Sequence, residues 1–173
     1  EASVDELLNH YHKSAVAGSA HGAYNWSRLK EVHESAGEAD QEIKDRYLQA
    51  ARLGHSEAQN TLAVLLQNSA KDEEVLEEAA RWFRNAADQG HADAQFNLGL
   101  MILRGQGGLT VNLTAVFVWW GRAALQDQPD AIKALPSLVE QMDAAGQNDG
   151  RKIISEWEGG ARVPQLFVIR KGD

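Results

Sequence analysis

The sequence predicts an all-α chain built as an array of antiparallel helix hairpins, and three observations carry that expectation. The first is a repeat: AARLGHSEAQ at Ala50 to Gln59 returns as AADQGHADAQ at Ala86 to Gln95. Both share Ala-Ala, Gly-His, an acid and Ala-Gln, 36 residues apart. Self-similarity at such a period marks a solenoid of small units sharing one core. The second is spacing. Ala94, Leu98, Met101 and Ile102 fall at i, i+4, i+7 and i+8, as do Ala79, Phe83, Ala86 and Ala87, which is the apolar stripe of a helix. The third is composition, rich in Ala, Leu, Glu and Gln with only 3 prolines.

The register runs the length of the chain. The same offset pairs Leu98 with Leu62, Met101 with Leu65 and Phe83 with Tyr47. One step further back it pairs Tyr47 with Tyr11, Ala51 with Ala15, Gly54 with Gly18 and Leu62 with Trp26. Forward steps of 37 pair Phe83 with Trp120, Leu98 with Leu135, Met101 with Leu138 and Trp120 with Trp157. Four units and a leading half unit result. Helices are expected near 2–17, 20–34, 39–53, 56–68, 74–89, 92–104, 113–127, 130–143 and 148–158, in one domain over 1–160 with an extended tail over 161–173.

The repeated junction reads as a corner between units. Gly18, Gly54 and Gly90 supply the left-handed backbone that ends one helix, and Glu57 and Asp93 place negative charge in the first turn of the next. Ser56 is expected to cap that helix, and His55 and His91 to serve helix-end hydrogen bonds. At the fourth junction the glycine is missing, and Pro129 stands where a first helical turn begins. Gly159 and Gly160 are expected to end the array.

Charge and composition exclude several classes. A net charge of −8 with no basic run makes nucleic acid an unsuitable partner. The chain has 0 cysteines, so disulfides, thiolate nucleophiles and cysteine-ligated metals are ruled out. No apolar run reaches the roughly 20 residues that span a bilayer. Glu1 is not a methionine, which fits either a trimmed chain or a mature form whose leader has been removed.

The pattern AAxxGHxxAQxxLGxM at Ala86 to Met101, followed by Gly105-Gln106-Gly107, Leu109, Asn112, Ala115 and Trp119-Trp120, resembles the Sel-1-like repeat, a tetratricopeptide-related helical hairpin. The inserted Gly108, and Asn112 in place of aspartate, depart from the pattern. The match is good over residues 40–135 and looser at both ends. The resemblance implies a short, curved, right-handed α-solenoid that binds proteins, usually bacterial and often exported to the periplasm or beyond. It also implies settings that include envelope assembly, regulatory adaptors, and immunity proteins that neutralise secreted effectors such as type VI secretion phospholipases.

Signals for other chemistry are sparse. Ser27-Arg28-Leu29-Lys30 fits S-x-x-K, but neither S-D-N nor K-T-G follows, so no enzyme is expected. Gly105 to Gly108 follows a helix and lacks the Lys-Ser/Thr of a phosphate cradle. The 6 histidines show no H-x-x-x-H, and no metal or other cofactor is expected. Asp72, Glu73, Glu74, Glu77 and Glu78 read as a charged first turn and solvated face. Asn25-Trp26-Ser27 and Asn112-Leu113-Thr114 fit the glycosylation sequon, a short pattern that arises by chance.

The expected partner site lies half a turn away from the Leu62/Leu65 face of each first helix. There the units carry Tyr24, Ser27, Arg28, Glu31; Asn60, Ala63, Val64, Gln67; Phe96, Gly99, Leu100, Leu103; and Lys133, Pro136, Ser137, Glu140. Only the third set is an apolar strip. The resemblance puts this face on the concave side, so Phe96, Leu100 and Leu103 are expected to anchor a protein, rimmed by Asn60, Val64, Gln67, Arg104 and Lys133, with Trp119 beside them. A small-ligand receptor, for example for a muropeptide, is the contrasting class and would need a closed pocket. The apolar tail Val163 to Ile169 is expected either to cover the strip or to pair with a partner or second copy.

Overall fold

The computed structural model describes residues 2–33 and 41–157. Among them are nine helices and no strand: α1 (Val4–Val16), α2 (Ala20–His33), α3 (Gln41–Arg52), α4 (Ser56–Ser69), α5 (Glu73–Asp88), α6 (Ala92–Arg104), α7 (Leu113–Ala124), α8 (Pro129–Glu140) and α9 (Ala144–Trp157). Each helix through α7 packs on the next in the chain, so the hairpins follow one another as an α-solenoid. Gly159, Gly160 and the tail from Val163 to Ile169 lie outside the described residues.

The repeat register is the packing register. Tyr47, Phe83, Leu98, Met101 and Ala15, Ala51, Ala87 are all buried. Burying one large apolar side chain contributes about 1.5–3 kcal/mol, so Tyr47, Phe83, Leu98 and Met101 are major contributors to the core. The core divides into two clusters, one from Ala15 to Leu62 and one from Ala63 to Leu138, which adjoin along α4. Trp82 of α5 packs against both, with its Nε1 donating to Glu78 Oε1 at 3.3 Å.

Each corner is closed by the same pair of backbone bonds. Gly54 N donates to Ala51 O at 3.0 Å and His55 N to Ala50 O at 3.1 Å, and Gly90 and His91 repeat this on Ala87 and Ala86. That Schellman arrangement needs a left-handed residue, and Gly18, Gly54 and Gly90 sit at φ 88°, 89° and 93°. The fourth corner keeps the bonds without the glycine: Asp127 N reaches Ala124 O and Gln128 N reaches Ala123 O, with Asp127 at φ 61°. An aspartate tolerates this conformation better than most L-residues. α7 stops at Ala124 rather than near 127.

The cap following each corner comes from the residue after the left-handed one. His55 Nδ1 accepts from Ala58 N at 3.4 Å, His91 Nδ1 from Ala94 N at 3.3 Å, and Gln128 Oε1 from Ala131 N at 2.6 Å. Ser56, expected as a cap, is instead the first helical residue, and its Oγ lies 3.5 Å from Glu57 Oε2. Asn112 caps α7 by accepting from Ala115 N at 2.9 Å, the role an aspartate would fill.

The fourth unit departs from a simple hairpin. Instead of lying along α8, α9 crosses to α7. Two glycines permit the crossing: a Cβ on Gly150 would lie 2.5 Å from Phe117 Cδ1, and one on Gly121 would lie 2.6 Å from Ile154 Cδ1. Trp157 then meets Trp119 edge-on at 6.1 Å, and the Arg122 guanidinium stacks 3.3 Å over the Trp157 ring.

Candidate functional site: the outer face of α6

The strip on α6 is set by its angle to α7. Leu98, Met101 and Ile102 point into the core, which leaves Phe96, Leu100 and Leu103 half-buried on the opposite side. Phe96 stacks on Trp120 of α7 with centroids 5.4 Å apart and planes 29° apart. Trp120 Nε1 donates to Phe96 O at 3.1 Å, so the indole is held at both its face and its edge. Phe96, Leu100, Leu103 and Val64 all pack against the larger core cluster while keeping part of their surface open.

Gly99 does not belong to this open strip. It is buried beneath Trp120, and a Cβ there would lie 2.5 Å from Trp120 Cδ1 and closer still to Nε1. The matched residues Ser27 and Ala63 are likewise buried. The physical reason is that each unit's second helix crosses its first at this position, which therefore takes a small residue. In the fourth unit the position is Pro136, and it is exposed, because α9 has left α8 for α7.

Trp119 requires a correction. Expected beside the docking strip, it is 3% exposed, enclosed by Trp157 and by Arg122, whose guanidinium lies 5.4 Å from its ring. Burial of Arg122 pushes its pKa down to about 10, with Asp88 opposing the shift, and its stacking on Trp157 puts the guanidinium in the α7–α9 contact.

The rim is polar and largely fixed. Asn97 Nδ2 donates to Asn60 Oδ1 at 3.3 Å, tying α6 to α4, with Val64 and Gln67 half-buried further along α4. Arg104, in the last turn of α6, and Lys133 of α8 are exposed cations. In the first unit Tyr47 Oη donates to Glu31 Oε2 at 2.8 Å, and burial, followed by that bond, raises the tyrosine pKa far above its ordinary value. Of the positions matched to Phe96, Leu100 and Leu103, all but Tyr24 and Val64 are polar or charged, and α6 alone carries three apolar side chains there.

A set of buried glutamines carries the corners, and the sequence reading gave them no role. Gln59 Nε2 donates to Ala51 O at 3.0 Å and Gln95 Nε2 to Ala87 O at 3.1 Å, each answering a carbonyl at the end of the preceding helix. Their Oε1 atoms accept from Gln89 Nε2 at 2.7 Å and from Gln126 Nε2 at 3.0 Å. The first unit has Ala23 at the matched position, and there Gln49 of α3 reaches Ala15 O at 2.8 Å instead. The invariant Ala-Gln of the two quoted stretches was the available signal.

The residues weighed for catalysis are engaged elsewhere. Ser27 Oγ is buried and donates to Ala23 O at 3.1 Å and to Ile43 O at 3.3 Å. Lys30 pairs with Glu42 at 3.2 Å and lies 4.7 Å over the Trp26 ring. Gly108 N in the glycine turn donates to Glu73 Oε1 at 2.9 Å, so that turn is tied to the start of α5. Among the described residues no cluster of three potential metal ligands occurs, and no helix is long and apolar enough to cross a membrane.

The Sel1 repeat profile matches residues 56–91 and 92–128. A comparison with curated proteins finds no match. Two solved structures are similar. One is c5321, a protective antigen present in uropathogenic Escherichia coli strains and displaying an SLR fold: TM-score 0.77, 21% identity, covering 98% of this chain and 38% of that one. The other is a Sel1 repeat protein from Oxalobacter formigenes: TM-score 0.65, 25% identity, covering 75% of this chain and 97% of that one. The chain thus spans 38% of the length of c5321 and nearly the whole length of the second. With corners, caps and packing register repeating at the matched period, residues 56–128 carry two Sel1 repeats, continued on both sides by helices of the same solenoid.

Proposed function

We propose that this chain is a non-enzymatic scaffold that binds another protein on its concave face, through the side of α6 turned away from the core. The observation that carries this reading is the half-open apolar strip Phe96, Leu100 and Leu103, on a helix whose matched neighbours, Tyr24 and Val64 apart, present polar or charged groups. Central anchors of this kind supply most of an interface's free energy, while polar neighbours set register. Asn60, Val64, Gln67, Arg104 and Lys133 form that frame, and Trp119 is removed from it.

An exported immunity protein against a secreted effector is the finer proposal. It rests on the family likeness. The test begins with affinity capture from the source cell, followed by titration calorimetry of the recovered protein. Phe96→Ala is expected to cost about 2 kcal/mol of affinity, roughly thirtyfold, with helicity unchanged. Unaltered affinity removes α6 from the interface. Recovery of a saturable small ligand in place of a protein overturns the scaffold reading.

A further inference from the structure

Among the corner caps, His55 alone places a single nitrogen between two partners with opposite demands. Its Nδ1 lies 3.4 Å from Ala58 N, which needs a lone pair, and 3.1 Å from Glu57 Oε2, which needs a proton. The imidazole cannot serve both. Around it, Tyr24 of α2 stacks on the ring at 4.5 Å and His21 of α2 at 5.8 Å, while His91 at the next corner adds a further titratable group. The other corners lack this conflict. Gln128 caps α8 with an amide that does not titrate, and Asp93, the counterpart of Glu57, accepts from Gln128 Nε2 at 3.3 Å.

We propose that His55 is a proton-sensitive latch on the start of α4: the neutral ring caps the helix through Nδ1, and the protonated ring gives up the Ala58 amide for Glu57. Losing the cap loosens the first turn of the one helix along which the two core clusters adjoin. Burial lowers the ring's pKa, Glu57 raises it, and His21 and His91 lower it again, with a net downward shift. The sign follows: the folded protein favours the neutral ring, so its contribution is complete above the ordinary imidazole pKa of about 6.5 and is lost as pH falls through the depressed folded value.

The test uses hydrogen exchange at the Ala58 amide, corrected for the intrinsic rate, at about pH 8 and about pH 5. In the wild type, protection is expected to fall about tenfold in acid, the scale of one lost cap. His55→Gln places at this corner the residue that already caps α8, and should make protection independent of pH. The same acid loss in that variant overturns the proposal. Nitrogen NMR of the wild-type ring gives a second reading: an unprotonated Nδ1 at neutral pH is expected, and a protonated one overturns the latch. Glu57→Gln removes the competing carboxylate and should move the transition to lower pH; an unchanged midpoint counts against it.

Discussion

Replacing Gly99 with alanine tests the helix crossing on which the outer face of α6 depends. The new methyl would fall 2.5 Å from Trp120 Cδ1, so the indole must retreat by roughly 1 Å to restore ordinary contact. It has little room to do so: Trp120 is 4% exposed, bonded through Nε1 to Phe96 O at 3.1 Å and stacked on the Phe96 ring. Overpacking costs about 1–3 kcal/mol. Weakening the indole bond adds about 1 kcal/mol. Against this stands a gain of about 1 kcal/mol from the better helix propensity of alanine. The net expectation is a loss of about 2 kcal/mol, or about 4–8 °C in Tm for a chain of this size. Thermal unfolding followed by circular dichroism and tryptophan fluorescence reads it directly. A variant that gains about 1 kcal/mol, the propensity effect alone, refutes the crossing. Repeating the change in a Trp120→Phe background should recover at least about 1 kcal/mol of coupling between the two positions.

Two further outcomes follow from the corners. Gln95→Leu removes one of two donors to Ala87 O, which keeps Gly90 N, and one of two acceptors of Gln126 Nε2, which keeps Arg122 O, and should cost about 1 kcal/mol in urea unfolding with little change in m. Asp127→Gly relieves a left-handed L-residue at φ 61° and should raise stability by about 0.5–1 kcal/mol, read as a Tm increase of about 2 °C. A loss at position 127 would mean that the aspartate side chain contributes more than its backbone conformation costs.

The architecture was legible because the repeat fixed the phase of every helix at once. Once Gly54 and Gly90 are aligned, Tyr47, Phe83 and Leu98 fall on the buried side without further assumption, and they are buried. Angles between helices were less legible. Position 99 was assigned to the open strip by rotation about a single axis, and that construction cannot see a second helix crossing over it. Trp119 was misplaced for the same reason: its cover comes from Trp157, 38 positions away, through a crossing that breaks the hairpin pattern. The two glycines that permit this crossing, Gly121 and Gly150, lie outside the repeated motif and give no periodic signal. The histidine caps were readable as helix-end groups. The competition at His55 was not, because it depends on a rotamer of Glu57 that no spacing rule specifies.

The glutamine seals make the array modular in a particular sense. At the Gly54 and Gly90 corners the seal is supplied by the unit after the corner and answers a carbonyl of the unit before it, so these two joints are identical fittings. Excising residues 56–91 would bring Gln95 opposite Ala51 O in the place Gln59 now holds, with Gln126 still attached behind it. A lineage could therefore lengthen or shorten such a chain by whole units without inventing a new joint, and the size of the assembly becomes free to follow the size of whatever it grips.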